Sequence, residues 1–140
     1  MKVNEVVPFL AVKDLAKSLA FYVGGLGFTK TDEWVDEDIP RWCRLKIGKA
    51  GLMLQQFPTE GPEARKYGDF KGEGVIFCFF CDDAVAFYRA VKSRKVHASE
   101  PTVGNGLWVT RVQDPDGYRL DFQSPTDVAE DTKLSAFKGS

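Results

Sequence analysis

The stretch VPFLAVKDLAKSLAFYVGGLGF, residues 7–28, changes its periodicity halfway along. Its opening is apolar and β-prone, which predicts a strand over residues 5–12. Asp14 then stands where a helix N-cap belongs, because its carboxylate can accept the unsatisfied N–H groups of a first turn. Leu15, Leu19 and Tyr22 follow at i, i+4 and i+7, one helical face, and Gly24-Gly25 ends the helix. Beyond it, Phe28–Asp36, Arg41–Gly48 and Leu52–Phe57 read as strands, the last two joined by the turn Gly48-Lys49-Ala50-Gly51. The order is β-α-β-β-β.

The second half repeats this order. Val75–Cys81 reads as a buried strand, Asp82 or Asp83 caps a helix running to about Lys95, and a short strand is expected near Ala98–Thr102. The stretch VTRVQDPDGYRLDF, residues 109–122, closes the half as two strands around the tight turn Asp114-Pro-Asp-Gly117. Ala20-Phe21-Tyr22 recurs as Ala86-Phe87-Tyr88. Gly51-Leu-Met-Leu-Gln55 recurs as Gly117-Tyr-Arg-Leu-Asp121, and Trp42 as Trp108, each 66 positions on. A duplicated module follows. One domain over residues 1–140 is expected: module 1 over 5–57, a Pro/Gly-rich linker over 58–74 with a helical turn near Glu63–Tyr67, module 2 over 75–124, and a polar tail over 125–140 carrying one loose helix.

The 140 residues are 44% apolar and 28% charged with a net charge of −1, a globular mixture with no positive field for nucleic acid or anionic membrane. No apolar run is long enough to span a bilayer, and the N-terminus lacks a signal-peptide core, so a cytoplasmic location is expected. The single histidine, His97, excludes any two-histidine site within one chain and reads as a loop residue. Cys43, Cys78 and Cys81 are an odd set with no disulfide framework. Positions three apart on a strand face opposite sides, so Cys78 and Cys81 are expected to be inert buried thiols.

With residues 7–28 opening one half and 109–122 closing the other, the chain resembles the glyoxalase/bleomycin-resistance/dioxygenase superfamily, also called vicinal oxygen chelate proteins, over about residues 5–124. The resemblance implies an α+β fold: two tandem βαβββ modules whose eight strands form an open, curved mixed sheet around a cleft, with helices on the outer face. Metal enzymes of that family use four cleft-face ligands. In this chain the corresponding positions hold Val7, Gln55, Ile76 and Asp121. Two hydrocarbons, an amide and one carboxylate are a poor donor set for a transition metal, so no cofactor is expected.

Strand alternation from Gln55 and Asp121 puts Met53, Phe57, Arg119 and Gln123 on the same faces, with Phe9 beside Val7, and Cys78 and Phe80 beside Ile76. Trp42 is expected there with Arg44, while the mixed parity of Val109–Gln113 leaves the face of Trp108 open. The acid run Asp32, Glu33, Asp36, Glu37, Asp38, broken by Trp34-Val35, is either a solvated loop or an attractant for a cation. The favoured reading is a metal-independent binder of a small aromatic or cationic compound. Trp42, Phe57, Phe80 and Trp108 are its walls, with Phe9, Met53 and Trp34 beside them. Gln55 and Asp121 are polar anchors with Arg119 beside them in the ligand-binding set, and Asp36, Glu37 and Asp38 the attractant. The resemblance adds antibiotic sequestration in the cleft of a homodimer. The alternative is a glyoxalase-like lyase or ring-cleaving dioxygenase with a divergent metal site.

Overall fold

In the computed structural model, which describes residues 1–62, 64 and 72–139, Asp14 accepts the N–H of Lys17 at 3.2 Å and opens helix α1, Leu15–Leu19. The helix widens into a π-helical segment over Ala20–Gly25, where the Leu26 N–H reaches back five residues to the Phe21 carbonyl at 2.9 Å. Leu15, Ser18, Tyr22 and Gly25 form the buried face. Ser18 thus takes the place expected of Leu19, which is only half-buried.

Strands β1 (Phe9–Val12), β2 (Thr29–Asp36), β3 (Ile39–Ile47) and β4 (Ala50–Gln56) form a mixed sheet in the order β1-β4-β3-β2. Only β1 and β4 run parallel. The helix-side face carries Leu10, Val12, Cys43, Leu45, Leu52 and Leu54, all buried, with Tyr22, Leu26 and Phe28. Burial pushes the Cys43 thiol up to about 11. Strand β2 is exposed along its whole length. Its turn to β3 is Glu37-Asp38, both at positive φ (48° and 65°), as a two-residue hairpin turn of type I′ demands.

In the second unit, β5 (Ile76–Phe80), β6 (Thr102–Gly104), β7 (Leu107–Gln113) and β8 (Arg119–Pro125) repeat the topology as β5-β8-β7-β6, with helix α2, Ala84–Ser93, capped by Asp83. Phe122 stacks between Phe79 and Phe87, ring centroids 4.9 and 3.8 Å away. The Asp114 carboxylate holds the turn before β8 by accepting the N–H groups of Asp116 and Tyr118 at 2.9 and 2.8 Å. The tail is not loose. Lys133 bridges to Thr102, and Phe137 packs edge-on against Trp108 at 5.6 Å.

Eight strands among the described residues therefore form two open four-stranded mixed sheets, one in each compact unit, Met1–Asp69 and Phe70–Ser140. The helical turn expected near Glu63–Tyr67 lies outside the described residues. No helix among them is long and apolar enough to cross a membrane.

The duplication is real, but its register is not constant. The caps Asp14 and Asp83 are 69 positions apart. On the parallel pairs, Phe9 opposite Met53 corresponds to Cys78 opposite Asp121. The first helical N–H is held by Gln56 in one module and Ser124 in the other, 68 positions apart. Arg44 opposite Met53 corresponds to Arg111 opposite Asp121, 67 apart. The offset of 66 read from the sequence therefore misaligns every element. Tyr22 corresponds to Val91, Trp42 to Val109, and Gln55 to Gln123.

Candidate functional site

One helix covers one face of each sheet, so alternate side chains are left on an open face. In module 1 the cross-strand pairs on that face are Phe9–Met53, Arg44–Met53, Trp42–Gln55 and Trp34–Trp42. Phe57 lies just past β4, its ring 6.2 Å from that of Phe9. Six predicted residues, Phe9, Trp34, Trp42, Met53, Gln55 and Phe57, are thus brought onto one side of one sheet. Phe9 and Trp34 are 51% and 52% exposed. Arg44 lies among them, bonded to Glu5 at 2.9 Å, with its Nε buried and without a hydrogen-bond partner. Asp36, Glu37 and Asp38 sit at the exposed tip of the β2–β3 hairpin, beyond the Trp34–Trp42 pair.

The open face of module 2 is different in chemistry. Ile76, Cys78 and Phe80 on β5 lie beside Arg119, Asp121 and Gln123 on β8, with Val109 and Arg111 on β7. The strand expected to be buried is therefore covered on one side only. Phe80 is 74% exposed and Cys78 is exposed, not buried. Cys81 faces the other way and is half-buried, and burial raises its thiol pKa. His97 is exposed in the loop after α2.

Trp108 is not a wall of this face. It is 7% exposed, on the helix side with Ala84 and Val103. The β7–β8 pairing is unbroken, so Trp108, Thr110 and Val112 share the interior. The Thr110 hydroxyl misleads a polarity reading because it is satisfied inside, donating to the Ala84 carbonyl at 2.8 Å. Arg111 takes the open side instead, and it was missed. Its signal was alternation: it stands two places from Val109 and directly across the hairpin from Asp121.

A concavity of about 370 Å³ opens on this face, lined by Arg111, Arg119, Asp121, Gln123, Val109 and the Ser99–Asn105 region. Asp121 is its fixed point, 4% exposed. One carboxylate oxygen accepts Nε of Arg111 at 3.0 Å and Nε of Arg119 at 3.2 Å, and the other accepts Nη2 of Arg119 at 3.0 Å. Burial alone would raise its pKa. The hydrogen bonds and charges of the two arginines outweigh that and hold the carboxyl below its ordinary range.

These residues do not fit a metal ion of the kind metalloenzymes of this fold use. Both Asp121 oxygens are taken by cations, which repel another. By strand pairing its counterpart is Met53, not Gln55, and Val7 and Ile76 offer only hydrocarbon.

A profile of the Glyoxalase/Bleomycin resistance protein/Dioxygenase superfamily matches residues 2–122. No curated protein sequence matches. Among solved structures the chain is similar to UcmS2, with a TM-score of 0.71 at 17% identity over 88% of this chain and 98% of that one. It is similar to TnmS3, described as an antibiotic binding protein from Streptomyces sp. CB03234, with a TM-score of 0.62 at 19% identity over 90% and 100%. A bleomycin-binding protein complexed with bleomycin gives 0.62 at 24% identity over 87% and 98%. At these identities the likeness concerns the fold.

Proposed function

The chain belongs to the Glyoxalase/Bleomycin resistance protein/Dioxygenase superfamily, and we propose that it sequesters a small aromatic compound without a metal ion, in the cytoplasm and as a homodimer. The observation that carries this reading is the Asp121 carboxylate, the one strong donor among the four family ligand positions, already saturated by Arg111 and Arg119. Module 1 by itself presents exposed Phe9 and Trp34 beside half-buried Trp42 on one face, which favours stacking over catalysis. The antibiotic-binding and bleomycin-binding proteins of similar fold point the same way.

Tryptophan fluorescence titrations with bleomycin and with planar aromatic antibiotics test this reading. Saturable quenching is expected, with a midpoint unchanged by EDTA or added zinc. Stoichiometric metal in protein purified without chelator, or binding abolished by EDTA, overturns it. Trp42→Ala is expected to weaken binding by about 1–3 kcal/mol, the scale of a buried aromatic contact, and unchanged affinity in calorimetry removes Trp42 from the site. The homodimer is supported by the exposure of Phe9, Trp34, Ile76 and Phe80. Light scattering is expected to give twice the chain mass.

A further inference from the structure

We propose that Arg111 and Arg119, held by Asp121, bind the carboxylate of an aromatic acid in the basin of module 2. This rests on the reading of the chain as a binder of aromatic compounds and gives the basin of module 2 a ligand class of its own. Asp121 does not need two arginines. Arg119 alone engages both of its oxygens, through Nε and Nη2. Arg111 adds only Nε, so its two terminal amino groups have no hydrogen-bond partner among the described residues. The side chains of Arg111 and Arg119 are 45% and 35% exposed, while that of Asp121 is 6% exposed. The acid is thus spent as a brace, and the donors it orients face the open basin.

The formal charges around the basin balance, so the pull on an anion comes from the free guanidinium edges and not from a net positive field. Two guanidiniums stand against one carboxylate, and the other acid on the rim, Glu100, has one oxygen engaged by the Ser135 N–H at 3.1 Å. A guanidinium braced through Nε keeps its outer edge planar and forked, the geometry that meets a carboxylate with two parallel bonds. The space, about 370 Å³, holds an aromatic ring as well as its acid group. Val109 and the aliphatic stems of the arginines give that ring apolar contact.

The test uses three probes of one shape on the full chain: 2-naphthoate, 2-naphthamide and 2-naphthylmethylamine. Affinities come from calorimetry and locations from ¹H–¹⁵N NMR, in the wild type, R111Q and R111K. Naphthoate is expected to bind roughly ten- to a hundredfold more tightly than the other two, the range of charge-assisted hydrogen bonds, and to shift the Nε–H signals of Arg111 and Arg119. In R111Q, where Arg119 alone is left to meet the carboxylate, the preference for the acid should fall by most of its wild-type size, and R111K, which keeps the charge without the fork, should fall between. R111Q retains Arg119 on Asp121, so its amide spectrum should stay dispersed, and R111K carries the test if it does not. Equal affinities in the wild type, or an acid preference undiminished in R111Q, overturn the proposal while leaving an aromatic binder standing. Failure of all three probes to bind overturns both.

Discussion

Tyr22→Ala is expected to remove about 3–5 kcal/mol of stability, the range for truncating a buried aromatic side chain. Tyr22 is fully buried, and it meets Phe21 and Phe28 edge-on with ring centroids 5.1 and 5.4 Å away. Against a total of roughly 5–15 kcal/mol for a domain of this size, such a loss lowers the urea midpoint sharply. The sequence repeat pairs Tyr22 with Tyr88, but the caps pair it with Val91, which is also fully buried. Tyr88 is only half-buried. Tyr88→Ala should therefore cost about 1 kcal/mol, typical of a position outside the core. Equal losses at the two tyrosines would show that the shorter offset, and not the helix caps, aligns the modules.

Asp121→Asn is expected to cost about 2–3 kcal/mol, below the ~3–5 kcal/mol of fully buried pairs because both arginines can turn toward water. The substitution keeps the shape and removes the charge that holds Arg111 and Arg119. Its dependence on pH identifies the cause. The carboxyl is held below its ordinary range in the folded protein, whereas the unfolded chain has it near ~3.9. The stabilisation is therefore present in full above about pH 4–5 and disappears as pH falls through the folded value. Unfolding free energies of wild type and variant should converge as acidification protonates the folded carboxyl. A gap that stays constant with pH would assign the loss to packing instead of charge.

The parts of the fold that depend on neighbours in sequence were legible. Asp14 accepts an N–H at a helix start as its position requires, and alternation along β4 correctly set Met53 and Gln55 on the open side and Leu52 and Leu54 inside. Phe9 and Trp42 followed by the same rule. What depends on pairing between strands was not legible. A repeat in letters aligned Trp42 with Trp108, but insertions of one to three residues between elements move the true counterpart to Val109 and turn Trp108 inward. Arg111 shows the same limit. Its importance lies in facing Asp121 across a hairpin, and only the register says so. The π-helical segment after Leu19 leaves no mark in the apolar spacing, and Ser18 obscures the buried face by occupying the interior between Leu15 and Tyr22.

Strand β2 has a further consequence. It is a bare rim of the first sheet, and strands with unpaired backbone recruit other strands. Its side chains carry Lys30, Asp32, Glu33 and Asp36, with Lys30 tied to Glu33 at 2.6 Å. Two copies meeting rim to rim would set mostly acidic rows against one another and would have to strip water from them. The acid-rich stretch thereby opposes rim-to-rim pairing of two copies along β2.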